Sequence, residues 1–149
     1  MWGKVVNKQL IGEYRHTLDT KRRVFIPSSF RSTGNWIITT GFEDSLFLFP
    51  DYEWEKIREK IKNAPLTRKD ARDFLRLFLS RARNLSSDSQ GRILIPENLC
   101  EFSGISKHCV FVGILSRIEI WSPENWDKFI NERSSDFSEM AENITSIDF

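Results

Sequence analysis

Asp19-Thr20-Lys21-Arg22-Arg23 decides how this chain is read, because the pattern returns as Asp88-Ser89-Gln90-Gly91-Arg92. Each copy runs into a short apolar segment ending in Ile-Pro: Val24-Phe25-Ile26-Pro27 and Ile93-Leu94-Ile95-Pro96. The offset is constant here, since 88 − 19, 92 − 23 and 96 − 27 all equal 69. Downstream it becomes 72, with Gly41 matching Gly113, Phe49 matching Trp121 and Trp54 matching Trp126, so the second connection is three residues longer. Two copies of this size are one supersecondary module used twice; a stacked solenoid needs about three or more repeats.

Working outward from the first copy, Gly12 to Leu18 alternates, with Tyr14, His16 and Leu18 on one face and Arg15 and Thr17 on the other, as in a half-buried strand. Asp19 suits the head of a turn because its carboxylate can accept N–H groups two residues on. Gly91 tolerates positive φ, so Arg22 in the matching place implies either a different turn or a strained residue. Val24 to Ile26 reads as a buried strand, and Pro27 as the opening of a short helix through Phe30. Strands are expected at Trp36–Thr40 and Leu46–Phe49, with Leu46 and Leu48 inward and Phe47 outward. A helix over Tyr52–Lys62 is stopped by Pro65. A second follows, with a capping-box-like start at Thr67 to Asp70 and an apolar stripe of Ala71, Phe74, Leu75, Phe78 and Leu79.

The second module predicts the same series: a strand over Arg81–Leu85, the turn, a strand over Ile93–Ile95, and a short helix from Pro96 to Phe102. Strands over Cys109–Gly113 and Arg117–Trp121 follow. Ser122-Pro123 then caps a helix that buries Trp126, Phe129 and Ile130, and the chain is expected to fray beyond Ser134.

The paired Asp-x-x-x-Arg motifs, each ahead of Ile-Pro and in register with a downstream Gly and Trp, resemble the MraZ family. The resemblance takes in Arg76-Leu77-Phe78-Leu79-Ser80 and Arg117-Ile118-Glu119-Ile120-Trp121, and covers residues 10 to 135. It implies an α+β fold: a pseudo-twofold swapped-hairpin (AbrB-like) β-barrel made of two duplicated modules, with flanking helices. The modules are expected at 11–80 and 81–135, between an N-terminal extension (1–10, a basic arm or an edge strand) and an acidic C-terminal tail (136–149). The family usually has Gly at both turn positions, so Arg22 is a departure. The resemblance further implies a transcriptional regulator of the bacterial division and cell-wall gene cluster. Such a regulator binds double-stranded DNA through the Asp-x-x-x-Arg face and assembles as a homo-oligomeric ring.

At 149 residues the chain fits one compact domain. No run approaches the ~18 apolar residues of a membrane span, and the N-terminus lacks signal-peptide features, which points to the cytoplasm; the resemblance implies association with the nucleoid. Cys100 and Cys109 are expected as buried thiols. Residues 1–31 hold seven Lys/Arg against two acids (+5), and residues 124–149 hold two against seven (−5). That asymmetry suits a polyanion-binding face backed by an acidic one, or head-to-tail subunit contacts.

Neither His16 nor His108 stands in a metal-ligand spacing, and there is no phosphate loop or nucleophile elbow. The reading is therefore of a non-enzyme without cofactor, metal or small-molecule substrate. Asp19 and Asp88 are expected to form the turns. The expected DNA contacts are Lys21, Arg22 and Arg23 with Arg15 on the adjoining strand, and at the second turn Arg92 and Gln90 with Arg81 and Arg83 nearby. A ring-forming scaffold with no nucleic-acid role is the rival reading, which an outward Phe47 would serve.

Overall fold

The computed structural model describes residues 9–148. The chain order is β1 (Ile11–Thr17), β2 (Arg23–Phe25), β3 (Asn35–Thr40), β4 (Leu46–Pro50), α1 (Asp51–Ile61), α2 (Lys69–Ser80), β5 (Arg83–Ser86), β6 (Arg92–Leu94), α3 (Glu97–Ser103), β7 (His108–Ile114), β8 (Ile118–Trp121), α4 (Pro123–Arg133) and α5 (Phe137–Glu142). Single 3-10 turns precede β3 and α5.

This is an α+β fold whose antiparallel pairing runs between the two modules. In the six-stranded sheet the order is β1-β7-β8-β4-β3-β5, while β2 and β6 form a separate two-stranded ribbon. The first strand of each module therefore pairs with the other module: β1 with β7, and β5 with β3. Gly113 allows the first of these pairings, since a Cβ there would lie 2.4 Å from the backbone nitrogen of Ile11.

The expected barrel does not close. Among the described residues β1 and β5 are the edges of the large sheet, and the ribbon lies beside them without ladder bonds. Each ribbon strand has three residues and is followed within two positions by a proline, which has no N–H to donate. The donors just before those prolines are used on the opposite turn: Ile26 N–H on Gly91 O and Ile95 N–H on Arg22 O, both at 3.0 Å. These two bonds extend the pairing of the ribbon strands with each other.

The main core lies between the sheet and the ribbon and includes Val24, Ile26, Phe30, Trp36, Ile38, Leu46, Leu48, Ile93, Ile95, Leu99, Phe111, Ile118 and Ile120. Cys100 and Cys109 are buried thiols within it. Leu10, assigned by the sequence to the extension, is 2% exposed in this core. The rest of that extension reading falls on residues 1–8, outside the described residues. Residue 149 of the tail is also outside them.

Two smaller cores lie on the opposite face of the sheet, one per module. Ile37, Phe47, Phe49 and Phe78 pack with Trp54 and Ile57 beneath α1 and α2, and Val110, Val112, Trp121 and Trp126 pack with Phe129 beneath α4. Phe47 does point away from the main core, but it is 4% exposed rather than free. Phe42 meets it edge-on and the Arg117 guanidinium lies 4.4 Å over its ring.

Several boundaries also shift. α2 begins at Lys69 with Arg68 at its N-cap and no side-chain cap, so the capping box does not form. β5 begins at Arg83, because Arg81 still ends α2. Ser122 does cap α4, accepting Asn125 N–H at 3.1 Å with Pro123 in the first turn. Ile130 on that helix is exposed. Beyond Ser134 the chain stays helical to Glu142 instead of fraying.

Candidate nucleic-acid interface

The two Asp turns have the same local geometry. Asp19 Oδ1 accepts the N–H groups of Lys21 and Arg23, both at 2.9 Å, and its Oδ2 accepts Arg23 Nε–H at 2.7 Å. Asp88 accepts Gln90 N–H, Arg92 N–H and Arg92 Nε–H at 2.9, 2.9 and 2.8 Å. Each turn is closed by an i→i+3 bond of 3.0 Å, from Arg22 N–H to Asp19 O and from Gly91 N–H to Asp88 O. Both carboxyl groups are held below the usual range, first by the backbone N–H of the motif arginine. Each Asp thus builds its turn and aims the arginine that follows it.

The two arginines lie on one small surface. In the ribbon Arg23 faces Leu94, Val24 faces Ile93 and Phe25 faces Arg92. Val24 and Ile93 point into the core, so Arg23, Phe25, Arg92 and Leu94 form the outer face. Arg92 Nη1 is 3.9 Å from Asp19 Oδ2, which brings the two motifs together. The Arg92 guanidinium also lies 5.8 Å from the Phe25 ring centroid. Lys21 and Gln90 flank this face at equivalent, exposed positions.

Arg22 keeps the turn and takes the strain, with φ +63° against +85° at Gly91. Its side chain is engaged rather than loose at the tip, because Arg22 Nε–H donates to Ile95 O at 3.1 Å. At the equivalent site the donor to Ile26 O is Arg31 Nε–H, at 2.8 Å. The Arg31 guanidinium lies over Gly91, where a Cβ would come within 2.7 Å of its carbon. Arg31 corresponds to Cys100, since 100 − 31 is again 69. One half therefore combines Gly91 with Arg31, and the other Arg22 with Cys100, so that each ribbon-end carbonyl receives one guanidinium. Sequence reasoning missed Arg31, although the offset of 69 contains the signal.

The remaining expected contacts are scattered. Arg15 lies on the far side of the sheet: Tyr14 and His16 beside it pack on Phe30 and Phe111, whereas Arg15 pairs with Asp127 of α4 at 2.7 Å. That ion pair is the first cause of its raised pKa. Arg81 stacks on Phe102 at the end of α2. Arg83 is exposed at the start of β5, five residues before Asp88 and so about 16 Å away along an extended chain. Arg81 is thus engaged with Phe102, and a cation that does lie at the second turn is Arg31, over Gly91. His16 has a lowered pKa, chiefly from burial, and among the described residues no cluster of His, Cys, Asp and Glu is placed to hold a metal. No described helix is long and apolar enough to cross a membrane.

Comparison with known proteins accounts for this duplication. The sequence profile described as "MraZ protein, putative antitoxin-like" matches twice, over residues 10–77 and 78–147. The chain belongs to the MraZ family. It is 45% identical over 139 residues to a protein of Clostridium acetobutylicum named "Transcriptional regulator MraZ", covering 92% of this chain and 97% of that relative. The boundary between the two MraZ matches falls within α2, the helix that joins the modules.

Proposed function

We propose that this MraZ-family protein is a sequence-specific DNA-binding transcriptional regulator. Its target on this reading is the promoter of the bacterial division and cell-wall gene cluster, and its place is the cytoplasm, at the nucleoid. The observation that carries the reading is the ribbon face, where two guanidiniums are each oriented by a carboxylate beside a turn. A two-stranded ribbon fits the major groove, and an arginine with free terminal nitrogens can bind guanine O6 and N7 together. Asp19 and Asp88 take the Nε–H groups, leaving the terminal nitrogens of Arg23 for a ligand, while Arg92 Nη1 also lies 3.9 Å from Asp19 Oδ2. Lys21 and Gln90 extend the surface, Lys21 toward phosphate. The name of the C. acetobutylicum relative supports the same reading.

The active form on this reading is a homo-oligomer larger than a dimer, such as a ring. Large apolar side chains are exposed on the subunit, among them Phe42, Leu66, Phe74 and Leu77, and Ile11, Leu115 and Phe137. Apolar surface of this extent suits subunit contacts. Oligomerisation alone would also suit a scaffold, but the buried Phe47 removes one of the supports for that reading. A gel-shift assay with the duplex upstream of this protein's own gene tests the proposal. Binding that prefers this duplex to a scrambled one, and weakens steeply with salt, is expected. Absence of any DNA binding would leave the scaffold.

A further inference from the structure

Two of the four side chains on the ribbon's outer face are apolar. Phe25 and Leu94 are 41% and 44% exposed, while Val24 and Ile93 beside them are at 1%. A single exposed apolar residue is ordinary. Here the exposed residues occupy equivalent positions, since 94 − 25 is 69, and each faces the other module's arginine across the ribbon. The surface is therefore a checkerboard of two guanidiniums and two apolar groups.

That pattern has a counterpart in duplex DNA. On the major-groove edge the apolar group is the C5-methyl of thymine, beside the acceptors of guanine. Successive outward residues of a strand are about 6.7 Å apart, which is about two base-pair steps of 3.4 Å. With Arg23 on a guanine, Phe25 falls about two base pairs along, and the same holds for Arg92 and Leu94. We propose that Phe25 and Leu94 are specificity-determining residues that contact thymine methyl groups spaced about two base pairs from the guanines read by Arg23 and Arg92. The proposal rests on the DNA-binding reading above. Phe25 has a second task under Arg92, so Leu94 is the cleaner probe.

The test is a four-cornered binding cycle measured by fluorescence anisotropy. It compares wild type and Leu94→Ala on the natural upstream duplex and on the same duplex with every thymine replaced by deoxyuridine. Leu94→Ala should lose about fourfold in affinity on the thymine duplex, the value of one buried methyl-sized contact, and nothing on the deoxyuridine duplex. Leu94→Met, which keeps an apolar side chain, should retain thymine discrimination. Circular dichroism checks that both variants are folded. Equal losses of Leu94→Ala on both duplexes, or no loss on either, overturn the proposal while leaving DNA binding in place. A wild type that does not distinguish the natural from a scrambled duplex overturns the parent reading as well, so the two failures differ.

Discussion

The turns at Asp19 and Asp88 match closely in their carboxylate bonds, yet they complete the surrounding structure by different means. In one half Gly91 makes room for Arg31 to reach Ile26 O; in the other Arg22 reaches Ile95 O beside Cys100. The requirement common to both is a guanidinium on the carbonyl just before each proline. That carbonyl lies where the ribbon ends and ladder partners run out, and an acceptor left unpaired there would be costly. A residue can thus depart from the expected glycine when its pseudo-symmetric partner position changes with it.

Making the second turn resemble the first breaks this arrangement most severely. Gly91→Arg places a side chain on a backbone with φ +85° and against the Arg31 guanidinium. It should destabilise the protein by about 2–4 kcal/mol in urea unfolding. Adding Arg31→Cys reproduces the other half and should recover more than half of that loss. A strictly additive double variant would show that the two positions are not coupled.

The reverse change is milder. Arg22→Gly removes the bond to Ile95 O but also the positive-φ strain, so a net loss of about 1 kcal/mol is expected. Arg22→Ala keeps the strain and loses the bond, and should be worse by about 1 kcal/mol. Arg22→Ala at wild-type stability would mean that the guanidinium contributes nothing at this carbonyl.

Much of this was legible from the repeat. The constant offset located the turns and the apolar strands after them, and Val24, Ile26, Ile93 and Ile95 are buried as expected. Phe25 and Leu94, expected to be buried with them, face outward because only one side of the ribbon meets the core. What escaped was whatever depends on layers beyond one core. Phe47 was correctly placed on the far face, but in–out alternation around one core says nothing of helices covering the other side. Arg15 is near the first turn in sequence yet on the opposite face in space, which the alternation of β1 already implied. Barrel closure was beyond reach for a different reason: it depends on whether the short ribbon of β2 and β6 joins the edges of the large sheet, which no local pattern of either strand encodes.

Acid should affect both turns in the same sense. The Asp19 and Asp88 pKa values are lowered by folding, so their contribution is fully present above the unfolded carboxyl value of about 3.9. It disappears as pH falls further, through the lower folded values. The melting temperature should therefore drop below about pH 4, and less steeply in Asp19→Asn, where one of the two groups no longer titrates. An unchanged acid limb in Asp19→Asn would show that this carboxylate is not linked to folding. At the surface Lys21 and Gln90 differ by one charge. Lys21→Ala should weaken binding to all duplexes alike and reduce the salt slope by about one unit, whereas Gln90→Ala should leave that slope unchanged.

The central claim is that Arg23 and Arg92 act as two halves of one DNA-reading face. Arg23 is the more exposed, at 36% against 21%, while Arg92 lies between two carboxylates and over Phe25. The direct measurement is fluorescence anisotropy of Arg23→Ala and Arg92→Ala on the natural upstream duplex and a scrambled one. Both variants should lose about 1–3 kcal/mol of specific affinity and much of their sequence preference, with the Arg23→Ala loss greater by a few-fold in affinity. Wild-type affinity and preference in either folded variant would contradict the claim.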